Sequence, residues 1–454
     1  MTVANLGRIF GIALVLFASA VTSARAVVDT TPTEQEGGNS PEFPSEFVLD
    51  GLQYPESVGG SVCNYQTPAP SVKRTVRRTP RRQNCCPIPG AVGWFSADYL
   101  NMWLQGDRVP ALVTSSPLGT SREDVGVLGE PGTTTLFGDD RIGGEGQPGV
   151  RISLGHFLDN GCEYALAGEF FWAGQEEELF SAFSDGNPGL ARPFFNTDPS
   201  VNAEDAELVA FDDPVDGDIL DGQVSVDSHN NIYSTSFYFT KAIVCSGNRN
   251  RGYRCESLAG YRYFQLEERL EITEDLVATG GGAVAVGTTF DIIDRFSTSN
   301  EFHGFECGLK TQCYQGPWTF DALAKLALGN DHQRVKIDGS TTITVPTFSP
   351  FTTSGGLLVQ DSNAGVFESD DFALLPELRL QLGRRINNNC QLRVGYNLLF
   401  LTDAVRPGPS IDRRLDGRFL DPLAPPFVAT NPVFSQETSS VWLQGINLGF
   451  VTYF

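Results

Sequence analysis

The sequence predicts an all-β fold: a single transmembrane antiparallel β-barrel of about twelve strands behind a disordered N-terminal tail. Three observations predict it. From Trp94 to the C-terminus, segments of about ten residues alternate apolar with polar or small side chains, the length a tilted strand needs to cross a bilayer. The connections between those segments are alternately long and short. After the N-terminus, no apolar run approaches the ~18–20 residues of a spanning helix. A chain that enters a membrane without such helices does so as a closed barrel, because the bilayer core satisfies no open backbone group.

Residues 1–26 read as a secretory signal peptide. Arg8 supplies the positive start, Ile9 to Ala20 an apolar run of about a dozen residues, and Ala24-Arg25-Ala26 the small residues of a cleavage site. Residues 27–90 are rich in Pro, Ser, Thr, Gly and Glu without sustained periodicity, which favours a disordered periplasmic tail. The tail turns basic at Lys73, Arg74, Arg77, Arg78, Arg81 and Arg82. Plain solvation and contact with anionic cell-wall or lipid material both remain open there. Residues 91–454 are the barrel.

Candidate strands follow in order at 94–104, 150–158, 163–173, 232–242, 254–266, 285–296, 302–313, 318–328, 333–345, 372–383, 390–401 and 441–454. Four show the period of two most cleanly. Trp318, Phe320, Ala322, Ala324, Leu326 and Leu328 alternate with Thr319, Asp321 and Lys325. Leu378, Leu380 and Leu382 alternate with Glu377, Arg379 and Gln381. Leu392, Val394, Tyr396, Leu398 and Phe400 alternate with Arg393 and Asn397. Trp442, Ile446, Leu448, Phe450 and Phe454 share a face opposite Asn447, Gly449 and Tyr453. A soluble sandwich also has this period, and loop lengths discriminate. Connections after odd strands are mostly long (105–149, 174–231, 267–284, 346–371, 402–440) and those after even strands short, as in outer-membrane barrels. The tight turn Tyr314-Gln315-Gly316-Pro317 breaks this parity, and 285–296 is the least secure strand. The aromatic ending at Phe450 and Phe454 matches the signal that barrel-assembly machinery reads on its clients.

Composition agrees. The 454 residues hold 48 Gly and 32 Phe, with a net charge of −23, and mean hydropathy is −0.14. A barrel wall is apolar only on alternate residues, so its average looks soluble. The acidic balance argues against nucleic acid as a partner. Acid concentrates between Gly174 and Asn231, with fourteen Asp and Glu against Arg192 alone. A solvated loop is the simpler reading. Cation binding by Asp212, Asp213, Asp216, Asp218 and Asp221 is the sharper one, although their spacing departs from the calcium-loop template. Nine Cys in an exported chain imply an oxidising compartment and at least one unpaired or intermolecular thiol. Cys245 and Cys255 flank a short turn and are a candidate bridge, whereas the adjacent Cys85 and Cys86 are poorly placed to pair with each other.

A series of short motifs runs through residues 94–454: Ala97-Asp98-Tyr99-Leu100 with Trp103, Pro110-Ala111-Leu112-Val113-Thr114, Gly149-Val150-Arg151-Ile152-Ser153-Leu154-Gly155, Leu258-Ala259-Gly260-Tyr261-Arg262-Tyr263, Arg393-Val394-Gly395-Tyr396-Asn397 and Trp442-Leu443-Gln444-Gly445-Ile446-Asn447-Leu448-Gly449. In this order they resemble an outer-membrane family concentrated in planctomycetes, beta-barrel porin 7. The resemblance implies an outer-membrane barrel in contact with lipid and brings no substrate, cofactor or catalytic residue. The acidic stretch 174–231 and the basic tail match nothing in it.

No nucleophile elbow, phosphate loop or zinc-protease helix motif occurs, and the chain is expected not to be an enzyme and to need no cofactor. His303 near Glu301 and His156 near Asp159 read as surface polar residues. Two functions remain open. The first is a porin-like channel for small solutes or ions, its lumen lined by Arg262, Glu306, Lys310, Asp321, Lys325, Glu377, Arg379 and Arg393. The second is a structural or adhesive barrel in which those mixed charges lock together and plug the lumen, with acidic cation-binding loops outside. The Gly-punctuated first long loop, with Gly129, Gly132 and Gly138, either folds into the lumen or faces solvent. The sequence leaves oligomerisation open.

Overall fold

The computed structural model describes residues 86–88, 90–212, 219–248, 250–280, 284–420 and 430–454. The expected signal peptide, most of the expected tail with its basic segment, and Asp213, Asp216 and Asp218 lie outside the described residues.

Ten long strands build the wall: β1 Gly93–Leu104, β2 Gly146–Phe157, β3 Tyr164–Ser184, β4 Ile219–Gly247, β5 Arg251–Ala278, β6 Thr289–Gln315, β7 Trp318–Thr344, β8 Gly365–Arg385, β9 Cys390–Val405 and β10 Thr438–Tyr453. Each pairs antiparallel with the next, and β10 pairs with β1, Tyr453 opposite Trp94, so the meander closes on itself. Closure removes every sheet edge at the level of the membrane, which an apolar solvent demands.

The count is ten rather than about twelve. The expected breaks at 297–301 and 329–332 lie inside β6 and β7. Ser297, Ser299 and Glu301 look like turn residues, yet period two runs on through them: Phe296, Thr298, Asn300 and Phe302 stay buried on the other face. These strands simply leave the membrane there, so their outer face turns polar while the inner face stays packed. Merging the two pairs repairs the loop parity. The short turns at 158–163, 248–250, 316–317 and 386–389 now share one end, and the Gly316-Pro317 turn is no exception. All five long connections lie at the other end.

Wall height is uneven. β1 and β2 have 12 residues each, close to the ~9–11 of one crossing. β4 to β7 have 27 to 29, enough to rise well beyond the bilayer. The outward residues of the lower half form an apolar belt that includes Tyr99, Leu154, Phe170, Phe237, Phe305, Leu382, Leu392 and Leu448, all exposed. At its long-loop edge Tyr261 and Tyr263 point outward beside His303, and the Tyr261 hydroxyl lies 2.5 Å from His303 Nδ1. Rings with a polar edge suit the interface between lipid and water.

Above the belt, the long connections fold inward. Val109, Leu112 and Phe137 from the first of them pack with Phe194, Leu358 and Ile411 from three others. Their common floor is the inner face of the tall strands, including Val224, Ile272, Phe296 and Ile337. Gly138 belongs to this insertion. It has φ +93°, and a Cβ there would lie 2.1 Å from the Pro110 carbonyl oxygen, so only glycine fits. The first loop therefore fills the tall end instead of facing solvent.

Two disulfide findings follow. Cys86 bridges Cys162 in the β2–β3 turn, with Cα atoms 4.9 Å apart, and this ties the strand-preceding segment to the short-turn end. Cys245 is disulfide-bonded while Cys255 is a free thiol, so the expected bridge between them does not form. The register explains this. Cys245 stands opposite Arg254 and Cys255 opposite Val244, which puts the two sulfurs on opposite faces of the sheet.

Candidate functional site

Alternation sends one polar residue in two into the barrel at belt height, and there the inward charges meet. Arg262, Glu306, Asp321, Lys325, Glu377 and Arg379 are buried, Lys310 is half-buried, and Arg393 is nearly buried. The decisive geometry is which strands they join. Arg379 on β8 forms a fork with Glu169 on β3, Nη1 to Oε2 at 2.9 Å and Nη2 to Oε1 at 2.7 Å. In the ring of ten strands β3 and β8 are diametrically opposite, so this fork spans the lumen. Arg262 on β5 reaches Glu377 on β8 at 2.7 Å, and Glu377 also accepts from Arg379 at 2.6 Å. Arg151 on β2 donates to Asn397 on β9 at 2.7 Å. Arg393 on β9 forks onto Asp98 on β1 at 2.8 and 2.7 Å.

Lys325 completes the layer from β7. Its Nζ lies 3.4 Å from Glu306, 3.9 Å from Glu169 and 4.4 Å from the centre of the Tyr238 ring. Cations and carboxylates thus interlock in one plane, each satisfying several others, which is what makes buried charge tolerable. Directly above, Leu100, Phe171, Phe264, Phe302, Leu375 and Leu399 converge in an apolar layer. Below, a polar cavity of about 70 Å³ opens toward the short-turn end, walled by Trp94, Phe157 and Pro87.

The partners Asp98, Arg151, Glu169, Tyr238 and Asn397 were missed in the sequence. The same parity marks them, since each lies on the inward phase of a strand that the sequence identifies. The other candidates lie apart. Asp212 stands opposite Ile219, and Asp221 Oδ1 accepts from Thr279 at 2.9 Å. Among the described residues no group of three or more His, Cys, Asp or Glu is placed to hold a metal ion. His156 points outward, while Asp159 caps the β2–β3 turn by accepting from Gly161 and Tyr164, each at 2.9 Å. Phe450 faces outward against Phe95, ring centres 6.1 Å apart. The Phe454 carbonyl accepts from Gly93 at 3.1 Å at the closing seam.

The family described as "Putative beta barrel porin-7 (BBP7)" matches residues 94–454. The chain belongs to this family. That assignment and the closed meander make the BBP7 chain an outer-membrane β-barrel in a lipid environment. In structure it is similar to the outer-membrane protease OmpT of Escherichia coli, at 8% identity and TM-score 0.34, over 81% of this chain and 97% of that one. It is also similar to a Pseudomonas aeruginosa FadL homologue, at 7% identity and TM-score 0.19, over 80% and 90%. The toluene transporter TodX of P. putida matches at 7% identity and TM-score 0.12, over 80% and 89%. Comparison with curated proteins found no match.

Proposed function

We propose that this BBP7 barrel is a closed structural element of the outer membrane that displays its packed cap outside the cell, rather than an open channel. One observation carries the reading: the Arg379–Glu169 fork joins opposite walls at hydrogen-bond distance. A solute on the barrel axis would have to part that pair. It would then meet the apolar layer above, where an ion loses its hydration with no compensating partner. On this reading the short turns face the periplasm and the long connections face outward, as in outer-membrane barrels generally. Export by the N-terminal signal and recognition of the Phe454 terminus by assembly machinery belong to the same proposal. So does the absence of catalysis, since the acids and bases of the ionic layer neutralise one another.

Planar-bilayer recording with purified protein tests the proposal. The expected trace is flat across a range of salts, with a heat-modifiable band on a denaturing gel as proof of folding. Steady open-channel current from such folded protein would restore the channel reading for small solutes or ions.

A further inference from the structure

On the short-turn side of the ionic layer, polar groups with open hydrogen-bonding capacity line one cavity. Below it, in the cavity of about 70 Å³, Arg254 is held by Glu256 and Arg393 by Asp98. Three groups lining the same cavity are left over. The Asp321 carboxylate accepts from Gln312, but its Oδ1 is buried without a hydrogen-bond partner, and so is Gln381 Nε2. Their residues are only 8% and 5% exposed. Lys310 makes no hydrogen bond and no close ion pair among the described residues, although its charge acts on the Asp321 carboxylate, and its Nζ stands 5.8 Å from the centre of the Trp94 ring.

The register gathers these three. Asp321 stands opposite Gln381 on one side and opposite Gln312 on the other, and Lys310 is two residues from Gln312 on the same inward face. One orphaned carboxylate oxygen, one orphaned amide donor and one ammonium therefore share a wall beside an indole. Buried polar atoms are nearly always satisfied, so an arrangement that leaves complementary groups open describes a ligand: a cationic donor for Asp321 and an anionic acceptor for Lys310 and Gln381. Volume limits its size. At ~10–15 Å³ of probe space per water, the cavity takes a solute of about five to seven heavy atoms.

We propose that this vestibule binds a small zwitterion, its ammonium at Asp321 and its carboxylate between Lys310 and Gln381, on the Trp94 face. The site goes beyond the closed-barrel reading and does not depend on it, since it lies on the short-turn side of the ionic layer.

Glycine is the probe, titrated calorimetrically into the detergent-folded barrel. Saturable binding near one site per chain is expected. Glycolate, which lacks the ammonium, and methylamine, which lacks the carboxylate, should each bind at least ten-fold more weakly. Asp321→Asn and Lys310→Met should each weaken glycine at least ten-fold, and Arg295→Gln on the outer face should leave it unchanged. Should Lys310→Met yield no heat-modifiable band, the near-isosteric Asp321→Asn decides alone. No saturable heat with glycine, equal binding of all three probes, or undiminished binding to folded Asp321→Asn overturns the proposal and leaves the cavity to water. Binding that survives in a barrel found to conduct would sink the closed-lumen reading and keep this one.

Discussion

Arg379 and Glu169 meet across the full width of the barrel, and neither has water to fall back on. Removing one therefore costs more than the pair contributes, because the survivor stays buried without its fork partner. Arg379→Met or Glu169→Gln alone should lower unfolding stability by about 3–5 kcal/mol. The double variant should fall well short of the sum, since it leaves no orphan at that place. Urea unfolding in lipid vesicles, run as a double-mutant cycle, checks this, and simple additivity would count against direct coupling. A second residue acts in the cap. Asp107 accepts from the Gly408 amide at 2.6 Å, and burial pushes its carboxyl up to about 6 against the pull of Arg406. The folded state thus holds a proton there that the unfolded chain releases near the ordinary aspartate range, so this contribution to stability is present at low pH and is lost as pH rises from about 4 through about 6. Hydrogen exchange at residues 105–109 should show protection falling over that window, and Asp107→Asn should flatten the dependence.

Among the elements, the connections carry most of the individuality. Four of the long ones fold onto the inner face of the tall strands, where each buries apolar surface that the wall alone would leave wet. The segment before β1 is held differently. Phe157 and Ala165 pack around the Cys86–Cys162 bridge with Trp94, which closes a loop spanning 76 residues of separation. Chain-entropy arithmetic gives up to about 4 kcal/mol for a closure of that size. Cys86→Ser should shift the urea midpoint downward accordingly. Heat-modifiable migration should survive, because no strand pairing depends on the bridge; its loss would mean that the tie is needed for closure itself.

At the scale of the whole molecule, two layers cross the barrel, charge at belt height and hydrocarbon above it, and on the proposed reading each blocks the lumen. Truncating only the apolar layer, with Phe264, Phe302 and Leu375 changed to Ala, should leave bilayers silent, because the ionic layer still spans the barrel. Conductance from that variant would place the seal in the hydrocarbon alone. The barrel itself is legible in the sequence. Alternation in segments such as those around Trp318 and Trp442 reports the two solvents on either side of a strand, and that signal is local. So is the inward phase of Arg262, Glu377 and Arg379. Where β6 and β7 leave the membrane, the outer solvent changes from lipid to water, local polarity no longer tells strand from turn, and the count drifts from ten to twelve. The partner of each inward charge is not local at all. Arg379 and Glu169 are 210 residues apart and become neighbours only once ten strands close into a ring. The sequence alone determined a membrane barrel with charged side chains facing inward. Which of those charges meet across the barrel was decided by the diameter and register of the ring, which no single segment contains.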